Sequence, residues 1–157
     1  MTDKYEALKL KNQLCFPLYA CAKEVVGAYK PYLDELNLTY TQYITMMVMW
    51  EDKELRVKEL GGRLFLDSGT LTPLLKRLEE KGYVTRRRSE KDERDLIVTI
   101  TESGEALKER AADVPGRLAA CARLDAEKAL ALYGLLYELL GNLTGNDKRG
   151  GTDNGNL

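Results

Sequence analysis

Residues 67–82 have the sequence DSGTLTPLLKRLEEKG, which contains the start, the apolar face and the end of one helix. Asp67 is of a type that caps helix N-termini, and Gly82 is of a type that ends helices. The apolar positions have helical spacing and are Leu71, Leu74, Leu75 and Leu78. The opposite face is polar and contains Ser68, Thr72, Lys76 and Arg77. The pattern therefore predicts a helix that buries its leucines and presents polar side chains to a partner or to solvent.

Directly after this helix the apolar spacing changes from a helical period to a period of two. Residues 83–88 and 96–100 alternate as β-strands do, and the charged loop 89–95 joins them. Because this loop is too long for a tight turn, the two segments predict a hairpin with a projecting, mobile finger.

Helical patterns flank the central segment on both sides. Residues 6–29 predict a first helix that kinks at Pro17 and ends near Gly27 and Pro31. A second helix is predicted over residues 41–50, capped by Thr39 or Thr41, with Ile44, Met47 and Val48 inward. A short amphipathic segment follows at 57–60. Two more helices are predicted after the hairpin. The first spans 102–121, is capped by Thr101 or Ser103 and bends at Pro115, and the second spans 125–141 and is capped by Asp125.

This order of elements is the layout of a winged helix-turn-helix, in which the third helix enters the DNA major groove. We therefore predict a mainly α fold with a small β-hairpin wing and a helical dimerisation region. The predicted parts are an N-terminal dimerisation helix (1–36), the winged helix-turn-helix domain (37–101), C-terminal dimerisation helices (102–143) and a disordered tail (144–157). Excess apolar helical surface at both chain ends is the reason to expect a homodimer.

Charge supports this interpretation modestly. The chain of 157 residues has a net charge of −1, whereas residues 56–101 contain 11 Lys and Arg against 8 Asp and Glu. A neutral protein with a basic module suits a DNA binder, since phosphate contacts supply most non-specific affinity. The run Arg86, Arg87, Arg88 by itself fits a solvated strand edge equally well.

The composition excludes several classes of site. The chain has no histidine, which removes Ser-His and Cys-His nucleophile pairs and His-metal sites. Its three cysteines, Cys15, Cys21 and Cys121, have neither CxxC nor zinc spacing, so no metal or cofactor is predicted. No segment has the length of a membrane span or the pattern of a signal peptide, so the expected location is the cytoplasm, without membrane partners.

Three stretches resemble one known family. Residues 92–101, DERDLIVTIT, resemble the wing motif of MarR-family repressors, in which an Asp and an Arg two residues later precede the strand. Residues 67–79 resemble the recognition helix of the organic-hydroperoxide-responsive (OhrR-like) branch. Residues 14–19, LCFPLY, resemble the sensor stretch of that branch, and the whole resemblance covers residues 5–142.

The resemblance implies roles for particular residues. Cys15 matches the reactive sensor cysteine, and Tyr29 and Tyr40 match two tyrosines whose hydroxyls reach that sulfur. Cys121 matches the resolving cysteine of two-cysteine members, which lies on a helix of the partner subunit, and Arg94 matches an arginine inserted in the minor groove. Cys21 matches no role and is expected to pack in the interior. Further expected DNA contacts are Ser68, Thr70, Thr72, Lys76, Arg77, Arg86, Arg88 and Lys91.

The residues alone leave the role of the cysteines open. A free cysteine on a helix is often simple core filling, and Cys121 among its neighbouring alanines fits that role too. The leading hypothesis is a dimeric repressor that leaves double-stranded operator DNA when an organic hydroperoxide or similar oxidant modifies Cys15. An alternative is a repressor released by a small aromatic or anionic ligand, and a less favoured one is a thiol peroxidase. Under the leading hypothesis we expect no enzymatic activity.

Overall fold

The computed structural model describes residues 4–92 and 94–145. The chain divides into two compact units, Met1–Leu118 and Ala119–Leu157. The helices are α1 (Cys15–Glu35), α2 (Tyr40–Asp52), α3 (Val57–Leu64), α4 (Ser68–Glu80), α5 (Glu102–Ala111), α6 (Val114–Ala122) and α7 (Ala126–Thr144). The strands are β1 (Glu54–Arg56), β2 (Val84–Arg88) and β3 (Leu96–Ile100). The mainly helical fold with a small hairpin wing is confirmed.

The sheet has the order β1-β3-β2, and both pairs are antiparallel. In the hairpin, Val84 lies opposite Ile100 and Arg88 lies opposite Leu96, so the predicted strands and their connecting loop are confirmed. The amide of Ser89 donates to the carbonyl of Asp95 at 2.8 Å and continues the ladder into the loop. Strand β1 was not predicted, because its three residues become a strand only by pairing with β3.

The interior of the first unit forms between α2, α4 and the sheet. All four leucines predicted to face inward from α4 are buried, which confirms that interpretation. Of the three residues predicted to face inward from α2, Val48 is buried and Ile44 packs against the core, whereas Met47 is exposed. Met46 and Met49 are fully buried instead. Aromatic side chains at Tyr43 and Trp50, two turns apart on α2, are also buried and determine which way the helix faces.

Helix α1 differs from the prediction at both ends. It begins at Cys15, preceded by two short 3-10 turns, Glu6–Leu8 and Leu10–Asn12. Pro17 consequently lies in the first turn, where its missing N–H removes no intrahelical hydrogen bond, so the predicted kink is wrong. The helix continues through Pro31 and ends at Glu35.

The C-terminal helices also differ from the prediction in their bounds. Thr101 caps α5, because its hydroxyl accepts the amide of Gly104 at 3.1 Å. The predicted single bent helix over 102–121 is interrupted, and α6 starts only at Val114. Asp125 caps α7 as predicted, and α7 extends to Thr144, inside the predicted tail; the tail beyond residue 145 lies outside the described residues. No helix in the described ranges has the length and apolar character of a membrane span.

Candidate functional site

The outer face of α4 is exposed along its length. Its exposed polar side chains include the five that the sequence placed toward DNA, Ser68, Thr70, Thr72, Lys76 and Arg77, and at its last residue Glu80. Asp67 fixes the start of this face by accepting the amide of Thr70 at 2.8 Å. That hydrogen bond holds the pKa of the Asp67 carboxyl below its usual value and keeps the cap ionised at neutral pH.

A shallow cleft of about 190 Å³ lies between α4 and the start of α2. Its lining residues are Thr39, Thr41, Gln42, Thr70, Pro73, Leu74 and Arg77. Thr70 and Arg77 therefore lie beside the first turn of α2, and the polar surface of α4 continues onto that helix.

The wing loop presents two exposed cations on a backbone held by Asp92. The side chains of Lys91 and Arg94 are exposed. The Asp92 carboxylate accepts the amide of Arg94 at 3.0 Å, and the Asp92 carbonyl accepts the amide of Asp95 at 2.9 Å. This local Asx turn fixes where the Arg94 side chain leaves the loop. The Asp and the Arg two residues later thus form one structural unit.

Arg86 has a different neighbour from the expected DNA phosphate. Its Nε and Nη2 donate to the Glu79 carboxylate at 3.0 and 2.7 Å, and its amide donates to the other carboxylate oxygen at 2.9 Å. Only 20% of the Arg86 side chain is exposed, and the pKa of Glu79 is lowered by these contacts. Arg86 therefore ties β2 to α4, while Arg88 is exposed at the end of β2. Seven residues and a helix end separate Glu79 from Arg86, so no local pattern indicated the pair.

The described cysteines are both on α1. Cys15 is its first residue and is exposed, with its Sγ donating weakly to Gln13 Oε1 at 4.0 Å. Cys21 is also exposed, so the prediction that it packs in the interior is wrong for the chain by itself. Cys121 lies in α6, and its side chain is outside the described part of the structure.

Tyr29 and Tyr40 lie together, with ring centroids 5.0 Å apart. Tyr43 extends the cluster, 5.7 Å from Tyr29. Burial raises the pKa of the Tyr29 hydroxyl, with a contribution from Tyr40, and raises that of Tyr43 to about 12. Tyr29 is fourteen residues beyond Cys15 on α1, which separates them by about 21 Å along the helix. Within one chain, Cys15 and the tyrosine pair are therefore apart.

Comparisons with known proteins agree on one family. The family model described as transcriptional regulator SarA/Rot matches residues 28–111. The organic hydroperoxide resistance transcriptional regulator of Bacillus subtilis (strain 168) is 48% identical over 143 residues, which covers 91% of this chain and 97% of that protein. The chain belongs to the SarA/Rot family of MarR-type transcriptional regulators.

Several solved structures share this fold. Reduced AbfR bound to DNA is 34% identical with a TM-score of 0.73, covering 90% of this chain and 99% of that chain. AbfR is a protein of Staphylococcus epidermidis. Its disulfide-formed structure is 34% identical with a TM-score of 0.60, covering 87% of this chain and 96% of that chain. NadR in complex with 4-hydroxyphenylacetate is 27% identical with a TM-score of 0.64, covering 88% of this chain and 96% of that chain.

We expect Arg94→Ala to weaken operator binding by about tenfold or more, because an arginine in the minor groove reads groove width as well as charge. The measurement is a fluorescence titration of labelled duplex at fixed salt. Lys108→Ala is the matched control, since Lys108 is an exposed cation on α5 and belongs to neither the wing nor α4. Equal losses for the two variants would contradict the assignment of Arg94 to the DNA interface.

Proposed function

We propose that this protein is a homodimeric repressor that binds operator DNA when reduced and releases it when Cys15 is oxidised. The observation that carries the proposal is an exposed thiol at the first residue of α1, in a chain whose α4 and wing loop expose polar and cationic side chains. The DNA-bound reduced form and the disulfide form of AbfR support the same pairing of functions. The oxidant is an organic hydroperoxide or a related peroxide, as the name of the Bacillus relative suggests. We place this activity in the cytoplasm.

Two exposed apolar surfaces support the homodimer. One lies on the first half of α1 and contains Phe16, Leu18, Tyr19, Val25 and Val26. The other lies on α7 and contains Leu130, Leu132, Tyr133, Leu135, Leu136 and Tyr137. Exposed apolar area of this extent is typical of subunit interfaces, and a second copy of the chain covers it in our proposal. The two α4 helices of the dimer would then read half-sites about one helical turn apart.

The proposed reaction begins at the Cys15 sulfur. The thiolate attacks one oxygen of the hydroperoxide, the O–O bond breaks, and the leaving alkoxide takes a proton from water, so the products are a sulfenic acid and an alcohol. The sulfenic acid then condenses with a second thiol to give a disulfide and water. That second thiol is Cys121 of the partner subunit in our proposal, and a low-molecular-weight thiol is the alternative.

The tyrosine pair completes the proposed sensor from the other protomer. Tyr29 and Tyr40 are too far from Cys15 of the same chain to contact it, because α1 separates them by about 21 Å. In our proposal the α1 helices of the homodimer pair antiparallel, so that the tyrosines of one subunit lie near Cys15 of the other. Their hydroxyls would donate hydrogen bonds to the thiolate, which favours the reactive form of the sulfur.

Operator binding before and after oxidation tests the proposal. We expect cumene hydroperoxide to weaken binding of the wild type by at least about tenfold, the scale of typical coupling between two sites. Cys15→Ser is expected to bind DNA as the reduced wild type does and to keep that affinity in the presence of oxidant. Cys21→Ser is the matched control and should respond like the wild type. Release of Cys15→Ser by the oxidant would overturn the proposal.

A ligand-released repressor is the second candidate, favoured by the structural likeness to NadR in complex with 4-hydroxyphenylacetate. In that case a small phenolic acid would weaken DNA binding of Cys15→Ser and wild type alike. A peroxidase would instead consume hydroperoxide continuously with a thiol reductant. In the same assay a sensor consumes about one equivalent per Cys15 and shows no sustained turnover.

A further inference from the structure

Helices α1 and α4 end in the same way. At the end of α1, Asn37 has a positive φ of 54°, and the amides of Asn37 and Leu38 donate to the carbonyls of Asp34 and Leu33 at 3.0 and 2.9 Å. At the end of α4, Gly82 has a φ of 77°, and the amides of Gly82 and Tyr83 donate to Glu79 and Leu78 at 2.9 and 3.0 Å. Both arrangements are Schellman motifs, which fix the direction in which the chain leaves a helix.

Lys81 joins these two helix ends. It is the C-cap of α4, and its ammonium donates to the carbonyl of Asn37, directly after α1. The same ammonium donates to Gln42 Oε1 at 3.0 Å. A cation at this position is also favoured by the partial negative charge at the C-terminus of α1. One side chain therefore links the end of the recognition helix to the end of the helix that begins with Cys15.

Gln42 makes this junction rigid. Only 3% of Gln42 is exposed, and its Oε1 also accepts the amide of Thr39 at 3.1 Å. The Thr39 hydroxyl accepts the amide of Gln42 at 3.3 Å in return, which completes the capping box of α2. The Lys81 ammonium thus enters an arrangement of backbone and amide groups that is already fixed. Burial lowers the pKa of Lys81, with a contribution from Arg77, in agreement with a partly desolvated ammonium.

We propose that Lys81 is a positioning residue that holds the C-terminal end of α4 to the α1–α2 turn, so that a displacement of α1 moves the recognition helix. This inference rests on the proposed function, because it describes how oxidation at one end of α1 reaches the DNA-reading face. The buried leucines of α4 keep the helix folded without this link. Loss of Lys81 therefore weakens the coupling between the movements of α1 and α4, whereas the protein stays folded.

The test compares affinity ratios in Lys81→Met and Lys81→Arg. The measured quantity is a ratio of two dissociation constants for DNA, the one after treatment with cumene hydroperoxide divided by the one before it. The DNA is a duplex that the reduced wild type selects from a random library. We expect Lys81→Met to lower this ratio by about fivefold or more, and Lys81→Arg to restore it. Lys108→Met is the matched control and should keep the wild-type ratio. A purely structural role would weaken both redox forms equally and leave the ratio unchanged, which would overturn the inference.

Two other outcomes are distinguishable. If Lys81→Met weakens specific and random duplexes equally, with a smaller salt dependence and an unchanged ratio, Lys81 contacts phosphate and the inference is overturned. If the wild type itself is not released by the oxidant, the proposed function fails first and the inference falls with it.

A measurement on the wild type removes dependence on the folding of the variant. Amine acetylation with mass-spectrometric detection should label Lys81 more slowly than Lys108 in the reduced protein, since the Lys81 ammonium is engaged at the junction. After oxidation we expect Lys81 to remain slower than Lys108, because a link that transmits the movement of α1 to α4 must stay engaged. Labelling of Lys81 as fast as that of Lys108 in either redox state would overturn the inference.

Discussion

Peroxide-treated protein is expected to run as a covalent dimer on a non-reducing gel, and to return to a monomer when a thiol reductant is added. The reason is that the Cys15 sulfenic acid condenses with Cys121 of the partner subunit in the proposed reaction. A disulfide requires Cα atoms within about 7 Å, so any longer separation in the reduced dimer must close by helix movement. Helix α6 has only nine residues and ends one residue after Cys121, so local opening there costs little free energy.

Serine variants identify the two sulfurs. Cys15→Ser and Cys121→Ser should each abolish the covalent dimer, whereas Cys21→Ser should leave it unchanged. Crosslinking that persists in Cys121→Ser and requires Cys21 would contradict the pairing. A product of monomer mass plus one low-molecular-weight thiol would show that a small thiol resolves Cys15 instead.

Gly104→Ala is expected to destabilise the protein by about 3 kcal/mol, near the upper end of the usual cost of overpacking. A Cβ at this position would collide with the backbone carbonyl of Tyr83 and lie 2.8 Å from Ile100 Cγ1. The Tyr83 carbonyl is not free to move away, because it accepts the amide of Thr101 at 3.0 Å. The Gly104 carbonyl is also held, since it accepts the indole Nε1 of Trp50 at 2.8 Å.

Urea denaturation of the reduced protein, at one fixed protein concentration, measures this change in the free energy of unfolding. The fluorescence of Trp50, the single tryptophan, reports unfolding. Gly62→Ala is the control, because a Cβ there meets nothing within 4 Å on α3. Its stability should stay the same or rise by less than about 1 kcal/mol through the better helix propensity of alanine. If Gly104→Ala were as stable as Gly62→Ala, the backbone where α5 meets the start of β2 would be able to move aside at little cost in free energy, which would contradict the prediction.

The sequence determined the elements whose signals are local. Helix α4 begins at its Asp67 cap and ends before Gly82, as the residue types predicted, because those hydrogen bonds close within a few residues. The change to a period of two located the hairpin for the same reason. The wing motif and the sensor stretch indicated the family, since each is a contiguous run of residues.

Local patterns misled the prediction where a helix lacks such a cap. The apolar spacing before Cys15 continues the helical period, yet those residues form two 3-10 turns. Backbone hydrogen bonds close these turns, and the Asn12 side chain links them by donating to the Glu6 carbonyl at 2.8 Å. The N-cap Leu14 makes no side-chain cap hydrogen bond, so the start of α1 had no sequence signal.

Only the tertiary structure decided which neighbours the charged side chains near α4 have. Arg86 and Arg88 are equivalent in the sequence, but Glu79 engages Arg86 and ties it to α4. Lys81 is an ordinary helix-terminal lysine in the sequence, and 39 residues separate it from Gln42, whose amide oxygen it binds. The residue type gives a side chain its charge, whereas the fold sets its neighbours, and an ammonium or guanidinium already paired within the protein has fewer donors left for a phosphate.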